Sequence, residues 1–239
     1  MYFAVNMPHY PYQGDEKWLA YYNDKGIPYP RNLYAAFIST LDDRIGKLIK
    51  KLDELGIKDN TIIVFQSDNG HSTEQRAHFG GGNSGPYRGA KSSLFEGGIR
   101  VPAAITWAKK IKKGEIRNQL AVNTDWLPTL AELCEIKLDI QNLDGKSLVS
   151  IINNETELTK HTEGYCWQYQ DMWVARRGKW KLLGNPKDTS DEKNQLKEKR
   201  FLVNLDDDIG ETINLAKKYP NKVIELEKQY LNWLEFNKN

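Results

Sequence analysis

The chain has 239 residues, with 34 Lys or Arg against 32 Asp or Glu, for a formal net charge of +2. That balance excludes a nucleic-acid binder acting through a large positive excess, and 39% apolar with 28% charged residues excludes a disordered or membrane-embedded chain. No apolar run approaches the roughly 20 residues that span a bilayer, and a chain of this length buries roughly 70–75% of its unfolded surface, enough for one large domain or two small ones.

Residues 1–6 read as a short buried strand that enters a loop where Pro8 and Pro11 fix an extended backbone. The same stretch lacks the basic start, apolar core and small-residue cleavage site of a signal peptide. A polar, aromatic segment runs on to about Pro30. Leu33, Phe37, Leu41, Ile45, Leu48, Leu52 and Leu55 then recur at steps of three or four, which predicts a long amphipathic helix over 31–55 closed by Gly56. Residues 61–65 form an apolar, β-branched run suited to a strand covered on both faces. Helix, turn and buried strand in succession point to an α/β sheet with parallel strands.

Residues 67–98 hold eight glycines and no periodicity. A loop of that length in a compact domain is either functional or disordered. Its position past the C-terminal end of a buried strand, where open α/β sheets place ligands, favours function. A strand follows over 101–107, then short helices over 126–134 and 147–152. From about residue 162 the pattern changes to short antiparallel strands over 165–169, 172–176, 180–183 and 201–205, with a highly charged insertion at 187–200. A last helix over 221–236 sets Val223, Leu226, Tyr230, Trp233 and Leu234 on one side. The expected organisation is an α/β part over 1–160 and a small α+β subdomain over 161–239, with an antiparallel sheet and a C-terminal helix. Cys134 and Cys166 are too few for a disulfide framework or a zinc cluster and read as buried thiols.

Several residues could carry chemistry. Asp68 and Asn69, directly after the 61–65 strand, offer hard oxygen ligands for Ca²⁺ or Mg²⁺; with Gly70 they could equally make a plain tight turn. Lys91, held among glycines in the same loop, suits an anionic group with tetrahedral oxygens, and Arg88 could do the same. A solvated surface charge is the alternative for both. His9 could donate to a substrate oxygen or protonate a leaving group. His71 and His78 could line the pocket or be ordinary hydrogen-bonded histidines, and His161 is assigned no role. Glu96 reads as an ion pair with Arg100 in preference to an acid or base. There is no base-stacking platform and no phosphate-loop, nucleophile-elbow or zinc-helix motif.

These pieces, in this order, resemble the second part of a type I sulfatase of the alkaline phosphatase superfamily over nearly the whole chain. Asn6-Met7-Pro8-His9 is similar to the family's strand-loop histidine segment, and residues 59–70, ending in Asp68-Asn69-Gly70, to its second metal-ligand motif. Residues 85–102, with Arg88, Gly89, Lys91, Glu96, Gly97, Gly98, Arg100 and Pro102, give the most specific match, and 125–130, 143–148 and 205–215 also resemble family segments. The resemblance implies the C-terminal part of a sulfatase-type mixed sheet sandwiched by helices. It implies that Asp68 and Asn69 ligate a single Ca²⁺, with Mg²⁺ an alternative, and that Lys91 and His9 hold the sulfate and assist departure of the alcohol oxygen. Phosphate-cleaving relatives with two metals usually carry Asp-His where this chain has Asp68-Asn69, which favours a one-metal sulfatase. The family's C/S-x-P-S-R motif, whose Cys or Ser becomes the nucleophilic formylglycine, is absent from these residues, as are its first aspartate pair and a further Lys/His pair. The resemblance therefore implies a fragment, inactive alone, whose missing N-terminal half carries the nucleophile. The intact enzyme would be periplasmic or secreted and would cleave a sulfated small molecule or glycan. The other readings are a non-catalytic module that binds sulfated glycans and a phosphoryl or phosphonate hydrolase of the same superfamily.

Overall fold

The longest helix forms where the leucine spacing predicts it. In the computed structural model, which describes residues 1–140, 142–155, 158–191 and 196–237, that helix is α2 (Arg31–Glu54), preceded by α1 (Glu16–Asp24). Gly56, at φ +68°, ends α2. Its N–H bonds Asp53 O and the Ile57 N–H bonds Leu52 O, so two carbonyls of the last turn are satisfied by a left-handed residue that costs a glycine no Cβ clash. The sequence gives no sign of α1 because none of its residues is buried. It is fastened by polar bonds instead: Trp18 Nε1 donates to Asp43 Oδ2 at 2.9 Å, and the Asp15 N–H donates to Thr40 Oγ1 at 2.8 Å.

Residues 1–6 correct the expectation of a buried strand. They pair with no other described residue as a strand, and Met1, Tyr2, Phe3 and Val5 are exposed. An extended segment becomes a strand only when a neighbour takes its N–H and C=O groups. The 61–65 run does form a strand, β1 (Ile63–Gln66), but its partner β2 (Ala103–Thr106) runs antiparallel, with Ile63 opposite Thr106 and Gln66 opposite Ala103. Neither parallel pairing nor cover on both faces is realised within these residues, and Phe65 stays 42% exposed.

The short helices α3 (Glu96–Ile99), α4 (Trp126–Leu133) and α5 (Val149–Ile152) lead to the second sheet. Its strands β3 (Tyr165–Tyr169), β4 (Met172–Arg177), β5 (Trp180–Gly184) and β6 (Arg200–Asn204) form an antiparallel meander in sequence order. Alternation along each strand sends side chains to two covered faces. Met172, Val174, Leu183, Phe201 and Val203 pack on Leu94 and Phe95 from the long loop. Trp173, Ala175, Leu182 and Leu202 pack on Leu226 and Tyr230 of α6 (Pro220–Phe236), with the Trp173 and Tyr230 rings stacked at 4.2 Å. Burying each large apolar side chain here contributes about 1.5–3 kcal/mol.

Two smaller expectations change. Cys166 is buried, and burial pushes its thiol up to about 11, but Cys134 is exposed; neither is in a disulfide. His161 is a buried fastener: its Nε2 lies 3.0 Å from both carboxylate oxygens of Asp125, which also accept the Val122 and Lys146 N–H groups. Among the described residues no helix is long and apolar enough to cross a membrane.

Candidate active site

The 67–98 loop is irregular but closely pinned. Past β1 the ladder continues one step, with the Ser67 N–H on Pro102 O at 3.1 Å, and the chain then turns through Asp68 and Asn69. Asp68 Oδ1 accepts the Asn69 N–H at 2.9 Å, and the Gly70 N–H closes the turn on Gly98 O at 2.9 Å. Asp68 is exposed and Asn69 half-buried. One residue further on, His71 O accepts the Lys91 N–H at 2.9 Å, which brings the backbone of Lys91 alongside the Asp68–Asn69 turn.

Lys91 and His9, 82 positions apart, meet here: Lys91 Nζ lies 3.5 Å from His9 Nε2. His9 Nδ1 is 2.7 Å from Tyr10 O. A carbonyl can only accept, so Nδ1 carries the proton of the neutral ring and Nε2 presents its lone pair to the ammonium. Sequence reasoning missed the carboxylate beside this pair. Glu74 Oε2 accepts from Tyr10 Oη at 2.5 Å, and that bond, with the Lys91, Arg76 and His9 charges, holds Glu74 below the usual carboxylate range. Nothing in the sequence marks Glu74 within a loop of this length.

The other candidates take different places. His71 is half-buried, and burial first, with the Arg31 charge second, holds its imidazole below the usual range and so neutral. His78 joins an aromatic cluster, its Nδ1 2.6 Å from Tyr29 Oη and its ring near Tyr12. Arg88 is engaged by Asp188 and Glu211. Its Nε donates to Asp188 Oδ2 at 2.6 Å and its Nη1 to Glu211 O at 3.0 Å, with the guanidinium 4.6 Å from the centre of the Phe95 ring. Asp188 is the second residue of the expected charged insertion, whose first residues fold down onto the loop: Ala90 N–H donates to Thr189 Oγ1 and Ser93 Oγ to Lys187 O. Residues 192–195 of that insertion lie outside the described residues. Glu96 is buried and pairs with Arg100 as expected, and also with Lys181 and Arg176.

Among the described residues no group of three or more His, Cys, Asp and Glu side chains is placed to hold a metal. Asp68 and Asn69 offer one carboxylate and one amide oxygen. That chemistry suits a hard cation but supplies only part of the about six to eight oxygens Ca²⁺ takes. Together these features define an α/β protein with a cationic side chain and an oxygen-bearing turn on one loop and an imidazole brought to them from the loop around His9.

The sulfatase family model matches residues 1–136, more than half of the chain, and the chain belongs to the sulfatase family. It is 29% identical over 214 residues to a sulfatase from Formosa agariphila, covering 79% of this chain and 36% of that protein. It is 31% identical over 185 residues to arylsulfatase A from Bos taurus, covering 76% and 34%. The crystal structure of Ps i-CgsB superposes with a TM-score of 0.80 at 26% identity, over 96% of this chain and 48% of that one; the same protein is also solved in complex with k-i-k-neocarrahexaose. The chain thus spans about a third of the length of these curated relatives and about half of that solved chain.

Proposed function

We propose that this chain supplies one half of the active site of a sulfuric ester hydrolase, with Lys91 and His9 at the sulfate and Asp68 and Asn69 on a metal ion. The observation that carries this reading is the Lys91–His9 contact at 3.5 Å, made on the loop that also holds the Asp68–Asn69 turn. The oxygen donors on that turn fit Ca²⁺ as part of its shell, and a bound cation would supply positive charge against the sulfate oxygens. A formylglycine nucleophile and the remaining metal ligands would come from polypeptide outside these residues, because C/S-x-P-S-R does not occur among them.

The chain's own groups then have distinct tasks. Lys91 places an ammonium against charge that grows on the non-bridging and leaving oxygens as the ester bond breaks. His9 exchanges its proton at Nε2, since Nδ1 is held by Tyr10 O. Charged, the imidazole donates to the departing alcohol oxygen. The substrate class is a sulfated glycan or a sulfated small molecule; the neo-oligosaccharide in the Ps i-CgsB complex supports the former. The division at residue 160 and a periplasmic or secreted setting for the whole protein belong to the same reading.

The test is to co-express the chain with a matching N-terminal half carrying C/S-x-P-S-R and a formylglycine-generating enzyme, then assay an aryl sulfate, a sulfated oligosaccharide and a phosphate monoester. Sulfate release is expected, falling at least about 10²-fold in Lys91→Ala. Full turnover in that variant removes Lys91 from the mechanism. Binding without turnover in the assembled complex favours a glycan-binding module, and faster phosphate cleavage a phosphoryl hydrolase.

A further inference from the structure

Lys181 is the second residue of β5, with its side chain 0% exposed, on the sheet face that meets Phe95. Across the β4–β5 ladder its partner is Arg176, so two cations stand directly opposite each other. That pairing is unfavourable unless an anion comes between them. Glu96 does: it accepts from Lys181 Nζ at 2.8 Å and lies 3.7 Å from Arg176 Nη1 and 3.5 Å from Arg100 Nη1. A second buried carboxylate, Glu211, is 2.9 Å from Lys181 Nζ, and its Oε2 accepts the Glu96 N–H at 2.5 Å. One ammonium therefore joins two carboxylates that are 115 positions apart.

Each carboxylate leads to a different side of the candidate site. Glu96 opens α3. The next N–H, of Gly97, bonds Arg88 O at 2.6 Å, and the carbonyl of Gly98 receives the Gly70 N–H that closes the Asp68–Asn69 turn. Glu211 gives its carbonyl to Arg88 Nη1, three residues before Lys91. A buried ion cluster of this kind is weak evidence for stability, since well-packed apolar residues can replace one at no loss. What apolar residues lack is direction. A lysine with three donors and fixed acceptors sets the spacing of the segments that carry those acceptors.

We propose that Lys181 is a positioning residue that sets the separation between the Asp68–Asn69 turn and Lys91 through Glu96 and Glu211. The proposal rests on the reading of that turn and Lys91 as the sulfate site.

Amide hydrogen exchange on the 239-residue protein tests it. Lys181→Met is expected to speed exchange at Gly70, Gly97 and Lys91 by at least about tenfold relative to Leu202 and Val203, which lie in the core of the same sheet. In the complex with the N-terminal half, the same variant is expected to lower kcat about tenfold while KM stays within about twofold. A purely structural lysine would speed all these amides together and lower turnover only with the folded fraction; that result overturns the proposal. If Lys181→Met does not fold, Glu211→Gln, which keeps an acceptor for the Glu96 N–H, is measured the same way. Faster exchange at Lys91 than at Leu202 is then expected, and parallel exchange overturns it. Loosened amides with unchanged turnover also overturn the positioning role, and if Lys91→Ala is silent as well, the site reading itself has failed.

Discussion

The sheet β3–β6 is sealed on both faces, by α6 on one side and by Leu94 and Phe95 on the other, whereas the β1–β2 pair has two strands and leaves Phe65 open to solvent. A two-stranded ribbon is marginal by itself in water. What fixes β1 is at its C-terminal end: Trp126 Nε1 donates to the Gln66 side chain, Ser67 bonds Pro102, and Gly70 bonds Gly98. Gly98 belongs to the segment that packs on the sealed sheet. The candidate site thus has one side hung from a light ribbon and the other seated on a full core, and the second steadies the first.

The contrast breaks most readily at the sealed sheet. Leu202→Ala, at a fully buried position, is expected to lower stability by about 2–5 kcal/mol in chemical denaturation. If instead Leu202→Ala costs no more than truncating Phe65, the two sheets do not differ as described.

A smaller effect is expected with pH. Burial is the largest influence on Glu211 and, with the nearby Glu96 charge, lifts its carboxyl above the ordinary 4.5 against the pull of Lys181. A carboxyl raised on folding contributes fully below its unfolded value and loses that contribution as pH climbs through the folded one. Wild-type protein should therefore lose stability relative to Glu211→Gln from about pH 4.5 upward, by at most about 1.4 kcal/mol per pH unit. Glu96 runs the other way. Burial pushes it up, but Lys181, Arg176 and Arg100 outweigh burial and leave it below its ordinary value, so its contribution is lost only as pH falls through that lower value. Denaturation curves from pH 4 to 8 that stay parallel for wild type and Glu211→Gln would show that Glu211 titrates ordinarily.

The smallest effect belongs to the ribbon. Phe65→Lys is expected to change stability by no more than about 0.5 kcal/mol and to reduce self-association in size-exclusion chromatography, because charge on an exposed strand discourages pairing with another chain. A loss comparable to that of Leu202→Ala would mean that Phe65 is buried in solution.

The helix of residues 31–54 and the four strands of the second sheet were legible because apolar spacing reports which face is covered, and α2 and β3–β6 find their covers within the chain. The same logic misread residues 1–6 and 61–65. Apolar, β-branched runs state that a strand wants neighbours, not which chain segment provides them or in which direction. α1 left no trace because its attachment to α2 is polar. Within the site, the pairing of Lys91 with His9 followed only from the family resemblance, and Glu74, Asp188, Lys181 and Glu211 gave no signal. Their roles depend on contacts across 64 to 115 positions, such as Tyr10 with Glu74 and Glu96 with Glu211, and no local pattern encodes these.

The contact between Gly70, Gly97 and Gly89 has a consequence for how this loop can vary. A Cβ on Gly70 would stand 2.1 Å from Gly97 O, and one on Gly97 would stand 2.2 Å from Gly89 O. Main chain touches main chain through all three layers, so peptide geometry rather than rotamer choice sets the thickness of the stack, and mutational libraries should return no tolerated side chain at Gly70 or Gly97. Gly85, which has open space around its missing Cβ, should accept asparagine at little cost. Sequence diversity must then enter through the outer rim of the loop while its three-layer floor stays invariant.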